Sequence, residues 1–159
     1  MSKTAELSNL LATLSKHCDT GFALAIHIRF TRPSLLFQTY APDWMQYYSQ
    51  NGLFLSDPVV KWGIENAGLV HWDDLRDQDP AGVLAKASEH GLHNGITYSC
   101  GPVESRTISG LTTSAEPFTD AAIAEMKQTI DAVHALTQDI ESLPAAEREA
   151  MMAIQLGEE

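Results

Sequence analysis

The chain has 159 residues, 44% hydrophobic and 19% charged, with a net charge of −11. That length is enough for one domain with a proper core, and no stretch approaches the ~20 apolar residues of a membrane span. The ten Lys and Arg residues are scattered, so the chain by itself is expected not to bind DNA; a small, weakly polar ligand or another protein is the better partner.

Leu7, Leu10, Leu11 and Leu14 recur at helical spacing, which predicts an amphipathic helix over 4–18, ended by Gly21. Phe22, Leu24, Ile26, Ile28 and Phe30 alternate, which predicts a strand with all five on one face. Thr31–Ser34 reads as a turn and Leu35–Ala41 as the returning antiparallel strand. Pro42-Asp43 opens a helix that carries Trp44 and Tyr48 one turn apart and closes at Asn51-Gly52. Pro58 begins a second short helix that stops near Gly68, and Leu69–Trp72 is a short extended piece. Asp73–Asp79 reads as an acidic loop. A helix from Asp79-Pro80 to Gly91 follows, with Leu92 making the apolar contact of its ending. Gly95–Cys100 and Arg106–Ser114 read as strands. Thr119 caps the last long helix, expected to reach Glu141. Ile123, Met126, Ile130, Val133 and Ile140 step by threes and fours along it, a heptad seam that suggests a homodimer. Five antiparallel strands among these helices predict an α/β fold, an α-β-α sandwich with a central antiparallel sheet.

Cys18 and Cys100 are isolated and read as free thiols; together with a first stretch lacking an apolar signal region they suggest a cytoplasmic chain. No Gly-x-Ser-x-Gly elbow and no phosphate-cradling glycine loop is present, and His90-x-x-His93 lacks a third ligand. Neither catalysis nor a metal or cofactor is expected.

The chemistry concentrates between Tyr40 and Trp72, which hold all three tryptophans and three of the four tyrosines. Tyr40, Trp44, Tyr48, Asp57-Pro58 and Trp72, followed by Ala87-Ser-Glu-His-Gly91-Leu92-His-Asn-Gly95-Ile-Thr97, resemble the autoinducer-binding domain of LuxR-type quorum-sensing regulators over roughly residues 5–141. The resemblance implies an N-acyl homoserine lactone held between sheet and helices. It gives the Trp44 indole N–H to the lactone carbonyl, the Asp57 carboxylate to the amide N–H, and the Tyr48 hydroxyl to the acyl carbonyl. Trp72 is the aromatic wall for the ring, Tyr40 and Val60 line the pocket, and Thr112 is the further polar contact from the last strand. These types suit those tasks, since an indole only donates and an ionised carboxylate only accepts. Read without the family, aromatic residues at helical spacing are more often plain core, and Asp57 is an ordinary N-cap for the Pro58 helix.

Leu143-Pro-Ala-Ala-Glu147-Arg148-Glu149, ahead of Gly157, resembles the opening of the family's DNA-binding domain. The expected division is therefore an autoinducer-binding domain at 1–142 and, from 143 to 159, the start of a helix-turn-helix domain that is cut away or lost. Two functions stay open: the sensory domain of a transcription factor, or a naturally truncated relative that pairs with full-length regulators and inhibits them. A small-molecule domain of the PAS or GAF kind is a third reading.

Overall fold

The structure, a computed structural model, describes residues 2–30 and 32–156. Five strands form one antiparallel sheet: β1 (Phe22–Arg29), β2 (Arg32–Gln38), β3 (Gly68–His71), β4 (Ile96–Cys100) and β5 (Arg106–Leu111), in the order β2-β1-β5-β4-β3. Helices α1 (Lys3–His17), α5 (Asp120–Leu136) and α6 (Ala145–Met152) cover one face. Helices α2 (Pro42–Gln50), α3 (Pro58–Glu65) and α4 (Val83–Glu89) cover the other. This is the expected α-β-α sandwich.

The first layer holds the larger core. Leu7, Leu11 and Leu14 of α1 meet Phe22, Leu24 and Ile26 of β1, all fully buried. Ser2 starts α1 as expected of a cap, its Oγ accepting from the Ala5 N–H at 3.1 Å. Helix α6 adds Met151, fully buried, to the same core, with Leu143, Ile154 and Leu156 packed against it.

Several boundaries differ from expectation. Strand β1 does not keep one apolar face to Phe30. Its pairing with β5 slips between Ala25 and Ile28, where His27 takes a φ of +51°. This is a β-bulge, and it reverses the alternation beyond it. His27 turns under α5, where its Nε2–H donates to the His134 carbonyl at 2.9 Å and Nδ1 accepts from Ser105 Oγ at 2.7 Å. Burial pushes both imidazoles, stacked 4.1 Å apart, below the usual histidine range. Ile28 is sent to the opposite face, and Phe30 is fully exposed.

Residues 72–78 form a 3-10 helix rather than a loop. Helix α4 begins only at Val83, and Asp79 caps it from a distance by accepting from the Val83 and Leu84 N–H groups, both at 2.8 Å. Helix α5 ends at Leu136, and Ile140 sits in a separate turn.

The heptad seam is corrected in its meaning. Met126, Ile130 and Val133 are fully buried against the sheet and α1, Ile140 is 2% exposed, and Ile123 packs on the same cluster. The seam is core, so it gives no motive for a homodimer.

Candidate functional site

The second face of the sheet is not filled. A cavity of about 510 Å³, mostly apolar, lies between it and helices α2 to α4. The size is that of a small-molecule pocket. Its floor is low because β1 and β5 present Ala23, Ala25 and Gly110 there.

Pro42 at the start of α2 and Asp43 in its first turn suit the positive helix end. The helix then carries Trp44 and Tyr48 onto the face toward the cavity. Trp44 is 5% exposed and meets the Tyr48 ring edge-on with centroids 5.7 Å apart. His90 of the α4 ending packs on it at 5.2 Å, so His90 is part of an aromatic cluster. The Trp44 indole N–H has no acceptor among the described residues, which leaves it available to a ligand.

Asp57 stands where α3 begins. Its Oδ1 accepts from the Val59 N–H at 2.9 Å, so the capping role is real. Its Oδ2 accepts from the Tyr48 hydroxyl at 2.7 Å, and the carboxylate also lines the cavity. Capping and cavity lining coexist because a carboxylate has about four acceptor sites. Burial pushes the Asp57 carboxyl above the usual carboxylate range, while the bonds from Tyr48 and Val59 pull it back. The position of Asp57 is fixed by the seating of α3. A Cβ on Gly63 would lie 2.6 Å from the Ile108 side chain, so the helix lies hard against β5, and Ser99 Oγ donates to the Gly63 carbonyl at 2.8 Å.

The Tyr48 hydroxyl, expected to donate to a ligand's acyl carbonyl, donates to Asp57 Oδ2 in the unliganded fold. A phenol has one proton to give. Tyr48→Phe is expected to raise the pH below which ligand binding fails, because it removes a bond that holds the Asp57 carboxyl down; binding measured between pH 5 and 8 checks this. An unmoved pH profile would contradict it.

Trp72 is 7% exposed and forms a wall of the cavity. Two residues of the Gly-x-Thr motif seat it. A Cβ on Gly95 would lie 2.1 Å from the indole, and Thr97 Oγ1 accepts the indole N–H at 2.9 Å. Tyr40 lines the cavity with its hydroxyl donating to the Gly110 carbonyl at 2.9 Å, and half-buried Val60 lines it from α3. Trp62 packs on the second cluster without lining the cavity.

Thr112 is the expected contact that the structure does not bring to the cavity. It is fully buried, donating to the Gly21 carbonyl and accepting from Thr20 Oγ1, both at 2.8 Å. On β5 the cavity is lined by Ile108, Ser109 and Gly110, with Ala25 paired to Ile108 and Ala23 to Gly110. Ser109 is the hydroxyl residue there, and its Oγ accepts from the Tyr98 N–H and donates to the Tyr98 carbonyl, both at 3.0 Å.

Ala23, Ala25 and Gly110 were not singled out in the sequence. The signal was there: two alanines, a residue type that strands disfavour, alternate with Phe22, Leu24 and Ile26 in the first half of β1.

A helix-flanked antiparallel sheet with a mostly apolar cavity and a half-buried carboxylate in its lining is an architecture suited to a small-molecule ligand. The chain belongs to the autoinducer-binding domain family, whose pattern matches residues 4–142. The transcriptional activator SolR of Ralstonia solanacearum is 31% identical over 119 residues, 74% of this chain and 49% of SolR. The chain thus spans about half the length of that relative. Escherichia coli SdiA shares the fold, with a TM-score of 0.67 at 20% identity over 89% of this chain and 63% of that one. A structure of SdiA in complex with octanoyl-rac-glycerol gives the same TM-score at 19% identity, covering all of this chain and 66% of that one. An N-acylhomoserine lactone-dependent LuxR-family factor of Burkholderia cenocepacia, CepR2, aligns with a TM-score of 0.54 at 13% identity over 86% of this chain and 93% of that one.

Proposed function

We propose that this chain is the sensory domain of a LuxR-type transcriptional regulator and binds an N-acyl homoserine lactone in the cavity between the sheet and α2–α4. The observation that carries the reading is a half-buried carboxylate, that of Asp57, lining a mostly apolar cavity that Trp44 lines too, with an indole N–H that has no acceptor among the described residues. A lactone with an amide offers that pair one donor and one acceptor. In this reading the amide N–H takes the place of the Tyr48 hydroxyl on Asp57, and the freed hydroxyl donates to the acyl carbonyl. Trp44 donates to the ring carbonyl, Trp72 walls the ring, and Tyr40 and Val60 exclude water.

Coupling to DNA rests on a further domain. We read residues 143–159 as the opening of such a domain by sequence, although α6 places Met151 in the core of this one.

Thermal unfolding with and without lactone tests the binding. A ligand that binds only the folded state at a hundred times its dissociation constant stabilises by about 2.7 kcal/mol, or roughly 5–10 °C for a domain of this size. An unmoved transition across a panel of lactones would contradict the reading.

A further inference from the structure

We infer that the cavity selects a long acyl chain, of about twelve carbons or more, and that Ala25 is the residue that lets such a chain pass. This rests on the lactone reading above and names the ligand class within it.

The cavity runs along the strands rather than across them. Its polar end is marked by the Tyr40 hydroxyl on the Gly110 carbonyl and by Trp72, whose ring is 3.4 Å from where a Gly110 Cβ would stand. Gly110 pairs with Ala23, and Ala23 with Gln38. The next step along the same face is Ala25, paired with Leu36 on one side and Ile108 on the other. The last is Ile28 paired with Pro33. All three steps line the one cavity. Ile28 reaches it only because the bulge at His27 reverses the alternation of β1.

From Gln38 to Pro33 is five residues of strand. At about 3.3 Å each they span ~17 Å, and a zigzag chain of ~1.5 Å bonds advances about 1.25 Å per carbon, so roughly thirteen carbons fit along the groove. The cavity is open to the side at its middle step, where Leu36 is 52% exposed; Phe54, which also lines it, is 40% exposed. At the middle step the floor is a single methyl, Ala25. Chains shorter than about six carbons end before it, and longer ones must lie over it.

Calorimetric titration of the full chain with N-acyl homoserine lactones of four, six, eight, ten, twelve and fourteen carbons tests this. Each further methylene buried should tighten binding about fourfold, so affinity should climb to at least twelve carbons. Ala25→Phe should flatten the climb, lowering the ratio of twelve- to four-carbon affinity by about tenfold or more relative to the parent. Ala25→Leu, a smaller intrusion, should lower that ratio to a lesser degree, and circular dichroism reports that each variant is folded. An optimum at eight carbons or fewer in the parent would overturn the inference, as would Ala25 variants that weaken all lengths equally. If no lactone of any length binds the folded parent, the proposed function itself fails.

Discussion

Asp57→Ala is expected to weaken lactone binding at least ten- to hundredfold while changing the stability of the unliganded protein much less. A hydrogen bond to a charged group is worth about 1.5–3 kcal/mol, and the ligand's buried amide N–H would be left without an acceptor. The stability terms are smaller and opposed. Losing the cap on the Val59 N–H costs about 1 kcal/mol, while removing a partly desolvated charge helps. Because burial raises the folded pKa of Asp57, its contribution to stability is complete below the unfolded pKa. That contribution is lost as pH rises through the folded value, so at neutral pH the carboxylate is a net cost to the unliganded fold. Asp57→Asn keeps an acceptor for Val59 and drops the charge. It should melt at or above the parent temperature and still bind more weakly than the parent, though less weakly than Asp57→Ala. Lactone affinity in the parent should hold at neutral pH and decline as acid protonates Asp57. Calorimetry on folded protein reads all of this; an Asp57→Ala affinity within twofold of the parent would leave the residue only its capping role.

Ile130→Glu is expected to unfold the domain rather than to separate a dimer. Ile130 has no exposed surface and packs among Met126, Val133 and the strands. An unpaired carboxylate in that place costs about 3–5 kcal/mol, a large share of the roughly 5–15 kcal/mol that holds a domain folded. The melting temperature should fall by about 10–20 °C. Light scattering together with circular dichroism separates the two outcomes. A stable, well-folded monomer obtained from a dimeric parent would show that the seam is an interface after all.

That seam shows where sequence pattern stops. Ile123, Met126, Ile130, Val133 and Ile140 recur as a partner-binding stripe does, but the same spacing serves a helix laid on its own sheet. Nothing local distinguishes a partner helix from a neighbouring α1. The bulge at His27 was equally hidden, since it depends on the register of β5, eighty residues further on. Through it Ile28, which alternation placed with Phe22 and Leu24, ends on the cavity side. Thr112 was misplaced for a related reason: its hydroxyl answers to Gly21 and Thr20, whose nearness no spacing reveals.

What was legible came from short-range rules and from the motif. The order of strands and helices followed from alternation and turn residues. Tyr40, Trp44, Tyr48, Asp57, Val60 and Trp72 all line the cavity. The Gly95-x-Thr97 motif became physical only in the fold, as the space and the acceptor that seat Trp72.

The central claim is that this cavity holds an N-acyl homoserine lactone by its amide and ring. Calorimetric titration of the purified chain with N-dodecanoyl homoserine lactone and with its ring-opened acid tests it most directly. Saturable binding near one ligand per chain, at micromolar affinity or better and at least tenfold tighter for the closed ring, is the predicted result. Absence of saturable heat from a protein that circular dichroism shows to be folded, or equal binding of any twelve-carbon amphiphile, would contradict it.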